Sequence, residues 1–237
     1  MHAFIQFFID ALFPPQCVAC ESIIPHSHQF RSICNSCISR IEMHTGFTCA
    51  ECGKRLPTLS LTCHPQSIIL LTVSHFSNPE IHALIYALKF YFLKEVATPL
   101  GKLLFTQFNL HFPGIPSSSF VCVPVPIHPS RERERGFNQS TLIARAFSSY
   151  FSPPMPILDS LVTRITPTSS QATLHSHAER KKNIAGAFSI NEHASLKDTI
   201  VIIVDDVVTS GATMHAVAST LREKGARAII GLAIAHA

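Results

Sequence analysis

The chain has 237 residues, of which 46% are hydrophobic and 14% charged, with a formal net charge of +4. That length accommodates one good core with a small module, or two modest domains. A net charge this small does not by itself indicate nucleic acid, and no apolar run is long enough to span a bilayer.

Met1–Phe13 is apolar but interrupted by His2, Gln6 and Asp10, with neither a basic leading region nor a small-residue cleavage site. It reads as an amphipathic helix with Phe4, Phe7, Phe8 and Leu12 on one face, halted by Pro14-Pro15. Core packing or partner docking suits it better than membrane contact. The expectation is a cytoplasmic protein without membrane insertion.

Seven of the eight cysteines follow within residues 17 to 63, arranged as Cys17-x-x-Cys20, Cys34-x-x-Cys37, Cys49-x-x-Cys52 and a single Cys63. Without a secretion signal, serial C-x-x-C knuckles favour zinc over disulfides. Each knuckle supplies two thiolates to one tetrahedral ion, and two knuckles close the shell. Cys17, Cys20, Cys34 and Cys37 therefore make one expected structural Zn²⁺ site. Cys49, Cys52 and Cys63 make a second that lacks an obvious fourth ligand, because Gln66 stands where another C-x-x-C would end. His64 is the available substitute, although side chains adjacent in sequence rarely converge on one ion. The cysteine-rich segment, residues 1–66, is thus a zinc-ribbon module, and residues 67–237 form a second domain.

From Ser67 the composition changes. Ile68–Phe76 is an apolar, strand-like run, and Asn78-Pro79-Glu80 starts a helix, with Asn as the cap and Pro in the first turn. Ile81, Leu84, Ile85 and Leu88 give that helix one apolar face. A second helix is expected from Glu95 to about Phe108, a loop over Pro113–Ser119, and a buried strand over Phe120–Pro126. Next come the alternating charges Arg131-Glu132-Arg133-Glu134-Arg135, then Gly136-Phe137-Asn138-Gln139 and a helix through Leu142, Ile143, Ala146 and Phe147. Alternating charge is commonly just a solvated face. Directly after a buried strand, however, arginines stand where they reach a pyrophosphate, Arg135 foremost. Arg164–His177, rich in Thr and Ser, has the length of a mobile flap. Glu179–Asn183 reads as a basic elbow.

Val201-Ile202-Ile203-Val204 is a strand buried on both faces of a parallel sheet. Asp205 and Asp206 sit where it should end. Val207 and Val208 follow, then the small-residue turn Thr209-Ser210-Gly211-Ala212-Thr213 and a helix marked by Met214, Val217 and Leu221. Arg227–Ala235 gives a last strand. Amides at such a helix N-terminus, with hydroxyls beside them, make a site for a phosphate dianion. Two carboxylates close by would repel that phosphate unless a vicinal diol lay between them, which points to a ribose 5-phosphate. Gly-Lys-Ser/Thr is absent, so this is no Walker loop.

The acidic pair with its Thr-Ser-Gly-x-Thr turn resembles the PRPP-binding loop of type I phosphoribosyltransferases. Together with Leu12–Cys17, the serial knuckles, Leu88-Lys89-Phe90, Val123–Pro126, Arg135–Gln139, Arg164, Arg180 and Asn183, it identifies the chain as similar to the ComF family along essentially its whole length. The resemblance implies an α/β fold: a type I phosphoribosyltransferase-like parallel sheet flanked by helices, preceded by a zinc ribbon. It also implies a role in natural transformation, in handling incoming single-stranded DNA. Asp205 and Asp206 would take the ribose hydroxyls, residues 207–213 the 5-phosphate, and Arg135, Gly136, Asn138 and Gln139 the pyrophosphate side, with Mg²⁺ arriving on PRPP. Three functions remain open. They are a DNA-handling factor, an active phosphoribosyltransferase with an unknown nitrogen acceptor, and a scaffold docking a DNA translocase or helicase. Beyond Phe137 the sequence offers no evident stacking platform for bases.

Overall fold

In the computed structural model, residues 10, 12–25, 27–57, 63–64, 67–166 and 186–237 are described. The expected N-terminal helix, the flap and the basic elbow lie wholly or largely outside them. Where the first segment is described, Leu12 is 75% exposed, while Asp10 is buried and pairs with Arg31. A buried carboxylate needs such a partner.

The elements run α1 (Asn35–Ser39), β1 (Phe47–Cys49), β2 (Arg55–Leu56), β3 (Ile69–His75), α2 (Pro79–Phe90), α3 (Ala97–His111), β4 (Phe120–Pro124), α4 (Pro129–Arg135), α5 (Gln139–Ser148), β5 (Val162–Arg164), β6 (Phe188–Ile190), β7 (Ile200–Val208), α6 (Ala212–Glu223) and β8 (Ala228–His236). Six strands form one sheet in the order β2-β1-β3-β8-β7-β4, parallel from β3 to β4, and β5 and β6 form a separate antiparallel pair. β1 pairs antiparallel with β3, so the cysteine-bearing hairpin extends the same sheet and hydrogen bonds cross the boundary expected at residues 66 and 67.

β7 explains its own sequence. Ile202 and Val204 enter the core shared with α2, α3 and α5, whereas Val201 and Ile203 enter the core under α6, and all four are fully buried. Burial on both faces removes the usual alternation and leaves a continuous apolar run. The strand also runs on through the acidic pair to Val208, two residues beyond Asp206.

On the larger face, α2 starts where the sequence puts it, with Asn78 Oδ1 accepting from the Ile81 amide at 3.0 Å. α3 and α5 approach closely at Gly101, where a Cβ would stand 2.5 Å from that of Ala146. The chain has no tryptophan and 17 phenylalanines. Phe108 sits among several of them, its ring centroid 4.7 Å from Phe112 and 5.6 Å from Phe147. The first pair is stacked and the second edge-to-face, both arrangements that suit rings filling a core. The charged run after β4 folds into α4, capped by His128 at its start and by Gly136, at φ +77°, at its end.

Candidate functional site

The strands β3, β4, β7 and β8 all point their carboxyl ends the same way, and a cleft of about 400 Å³ opens there. Open α/β sheets bind ligands at this edge. The floor carries Asp205 and Asp206, with Thr209 and Thr213 beside them, and Lys89, Arg131 and Arg164 complete the polar lining.

The two aspartates are tightly held. Asp205 is 8% and Asp206 4% exposed. Ser140 donates its hydroxyl to Asp205 Oδ1 at 3.0 Å, and the Asp206 amide donates to the same oxygen at 2.9 Å. Asp206 Oδ1 accepts from the Val207 amide, and its Oδ2 lies 2.7 Å from Lys89 Nζ. Burial, and then the neighbouring Asp206 charge, push the Asp205 carboxyl up to about 7. The acidic pair therefore sets a carboxyl that burial favours in its protonated form beside one that Lys89 pairs with.

The turn after β7 is built as the sequence requires. Gly211 takes φ +70° and caps α6, whose twelve residues begin at Ala212. The first-turn amides, which have no partner within a helix, open on a small crevice lined by Asp205 and residues 207–214. Val208 and Ala212 send their side chains into the core, so only their backbone is available there. Gly211 has a second reason to be glycine. A Cβ on it would run into the carbonyl oxygen of Ala50, between Cys49 and Glu51. The third cysteine knuckle, Cys49–Cys52, thus rests directly on the turn.

The Arg135–Gln139 stretch is placed differently from the expectation. Arg135 Nη1 donates to Gln139 Oε1 at 2.5 Å and does not line the cleft; Arg131, one turn earlier, does. Asn138 caps α5 through Ser140 and ties back to the Val125 carbonyl, and Gln139 is buried. Phe137 is buried too, under Lys94, and offers no stacking face. Lys89, Arg131 and Arg164 bring positive charge to the acidic pair, and Ser140 adds a hydroxyl donor; of these, residue spacing pointed only to Arg131. Lys89 is detectable in the sequence as the cation next to the apolar face of α2, but its target is 117 residues away in the chain.

The cysteines gather into two clusters. The sulfurs of Cys17, Cys20, Cys34 and Cys37 all lie within 4.8 Å of one another, as do the ligand atoms of Cys49, Cys52, Cys63 and His64. A tetrahedron with Zn–S of ~2.3 Å has edges of about 3.8 Å. Cys20 and Cys34 Sγ are 3.8 Å apart, Cys52 and Cys63 Sγ 3.6 Å, and Cys49 Sγ and His64 Nδ1 3.6 Å. Both donor sets fit zinc. His64 takes the fourth place despite following Cys63, because its longer side chain reaches back to Cys49. Arg40 adds a donor to Cys37 Sγ at 2.9 Å and an ion pair to Glu80 on α2.

Knuckles of this kind fused to the edge of this kind of sheet define a class, a phosphoribosyltransferase-type domain behind a double zinc ribbon. Family models match it segment by segment: a double zinc ribbon domain over residues 8–65 and a phosphoribosyl transferase domain over residues 139–237. The chain is 31% identical to the DNA utilization protein YhgH of Escherichia coli K12, over 91% of this chain and 94% of that one. It is 29% identical to the protein of that name from Salmonella typhi, with the same coverage, and 27% identical to competence protein F of Haemophilus influenzae, over 83% and 87%. The chain belongs to the ComF family. Among the described residues no helix is long and apolar enough to cross a membrane.

Proposed function

We propose that the cleft binds the phosphorylated ribose of PRPP, or of a chemically equivalent sugar phosphate, and that the protein uses it in handling single-stranded DNA during natural transformation. One observation carries the reading. A helix N-terminus, an acidic pair and three cations converge on one cleft at the carboxyl edge of a parallel sheet. The turn at residues 209–213 supplies amides and hydroxyls for the 5-phosphate. Asp205 and Asp206 accept from the ribose hydroxyls, and Lys89, Arg131 and Arg164 offset the charge of the pyrophosphate. Mg²⁺ would arrive with PRPP, shielding the leaving group. The names of the relatives, DNA utilization protein and competence protein F, support the DNA side.

The zinc clusters are structural in this reading. Closed four-ligand sites fold small modules rather than expose a metal to substrate. Calorimetric titration of PRPP with Mg²⁺ into the wild type and into Asp205→Asn/Asp206→Asn tests the cleft. Binding by the first and none by the second is expected; equal binding, or none by either, overturns the reading.

A catalytic version has its own support in the cations placed opposite the acidic pair, where a pyrophosphate would leave. Pyrophosphate release on incubation with PRPP, Mg²⁺ and a panel of nucleobases and amines would establish transfer. Absence of release alongside tight PRPP binding would assign the cleft to binding alone.

A further inference from the structure

Alongside the cleft runs a feature that the sugar-phosphate reading leaves unused. α2 turns His82, Tyr86 and Phe90 outward at intervals of four residues, and the chain continues through the exposed Tyr91 and Phe92. Tyr86 is 42%, Phe90 57% and Tyr91 71% exposed. Their rings form a line. Phe76, just past β3, contacts His82 at 5.1 Å, His82 stacks on Tyr86 at 5.9 Å, Tyr86 meets Phe90 at 4.6 Å, and Tyr91 stands edge-on to Tyr86 at 5.4 Å.

An exposed contiguous aromatic patch costs hydration free energy and marks an interaction surface. Its neighbours narrow the choice of partner. Phe76, Tyr86 and Phe90 form one wall of the cleft that also holds Lys89 and Arg131. An apolar protein face laid on the rings would take the exposed Arg131 out of water, which is expensive, whereas Lys89 already has Asp206 as its counter-charge. A ligand with flat π faces and regularly spaced anions satisfies both halves at once. A single nucleotide has one base, whereas the ridge presents four rings in a row with Tyr91 to the side of Tyr86.

We propose that this ridge is a stacking platform for successive bases of a single strand of nucleic acid, whose phosphates lie along Lys89 and Arg131. The proposal rests on the reading of the protein as a strand-handling factor and gives that reading a surface. Aromatic rings accept any base, so binding is tolerant of sequence and weakens with salt. The cleft and the ridge share a wall, and a strand on the rings therefore has a sugar-phosphate unit within reach of the turn at residues 209–213.

The chain supplies its own probe. It contains three tyrosines and no tryptophan, and two of the three, Tyr86 and Tyr91, are on the ridge. Short oligo(dT) titrated at low salt should quench their emission, and an abasic strand of equal length should bind more weakly without quenching. Tyr86→Ala/Phe90→Ala, at exposed positions, should lose about tenfold or more in affinity by anisotropy. Tyr86→Phe/Tyr91→Phe should bind as the wild type does while losing the signal. An abasic strand that binds as tightly as oligo(dT), unchanged affinity in the alanine variant, or thymidine monophosphate binding as well as the strand would each overturn the proposal. PRPP calorimetry on the same proteins separates the two claims. Oligo(dT) quenching without PRPP binding would sink the cleft reading and leave the ridge, and PRPP binding with no effect of the alanines would do the reverse.

Discussion

The two cysteine clusters have nearly the same donor geometry and opposite positions in the fold. Cys17, Cys20, Cys34 and Cys37 close a segment with little regular structure, whose buried Phe30, Ile33 and Ile41 join the core of the larger domain and whose Arg40 pairs with Glu80. Cys49, Cys52, Cys63 and His64 sit at the turn of the β1–β2 hairpin, with the Ala50 carbonyl against Gly211 of the turn that follows β7. The lesson is that equal coordination need not mean equal duty. One metal would hold together a segment with little regular structure of its own, and the other would hold the wall against which the turn after β7 is formed.

Four experiments sharpen or break this contrast. The largest effect belongs to the first cluster. Cys37→Ser removes a fully buried ligand, and structural zinc contributes on the order of 10 kcal/mol to small modules. Zinc analysis should show one ion lost per chain, and proteolysis should open residues 12–41, while PRPP affinity stays as in the wild type. Gly211→Ala comes next, combining a left-handed backbone with the Ala50 clash at about 2–4 kcal/mol. Calorimetry should find PRPP binding weakened about tenfold or more. Cys52→Ser should weaken it in the same direction from the other side of the contact, and Cys20→Ser should not. If both serine variants bind PRPP equally well, the two clusters are equivalent and the contrast fails.

A pH series separates the cleft from either metal. Zinc–thiolate bonds are lost toward acid, because the ligands must stay deprotonated. Asp205 behaves in the opposite sense. Its folded value lies above the ordinary 3.8, at about 7, so its stabilising proton is fully held below the lower value and lost as pH rises through the upper one. Melting points of Asp205→Asn relative to wild type should therefore diverge between pH 4 and 7, by on the order of a few kcal/mol in favour of the variant at neutral pH. Parallel curves would count against the buried, protonated carboxyl. The smallest effect is expected at Arg131→Ala, a loss of about 1 kcal/mol in PRPP binding, or roughly fivefold. Arg135→Ala, whose side chain is engaged with Gln139, should change affinity less.

The sequence made some of this legible because single stretches carry their own physics. The apolar run of β7, the asparagine cap of α2 and the glycine turn before α6 are local statements, and the structure agrees with each within a few residues. The C-x-x-C pairs also revealed which sulfurs belong together. Long-range pairings were not readable. Nothing near Lys89 announces Asp206, and nothing near Ala50 announces Gly211. Arg131 and Arg135 differ only by one helical turn, which becomes visible once the charged run is known to be α4 rather than a loop. The aromatic ridge was hidden for a related reason. Tyr86 and Phe90 look like ordinary members of an amphipathic helix until the opposite face, Ile81 to Leu88, is seen to fill the core.

The pairing of β1 with β3 has a consequence for dissecting the molecule. The outer margin of β3 is closed by the chain before it. The His44 amide donates to the Val73 carbonyl, the Ala50 amide to that of Ile68, and the Ser74 hydroxyl to that of Glu42. A fragment starting at Ser67 would leave β3 as a bare edge of its sheet and offer it to any other strand, including its own copy. Such a fragment should self-associate before it reveals anything about ligand binding, so the cysteine-rich half is a seal on the larger half as much as an attachment to it.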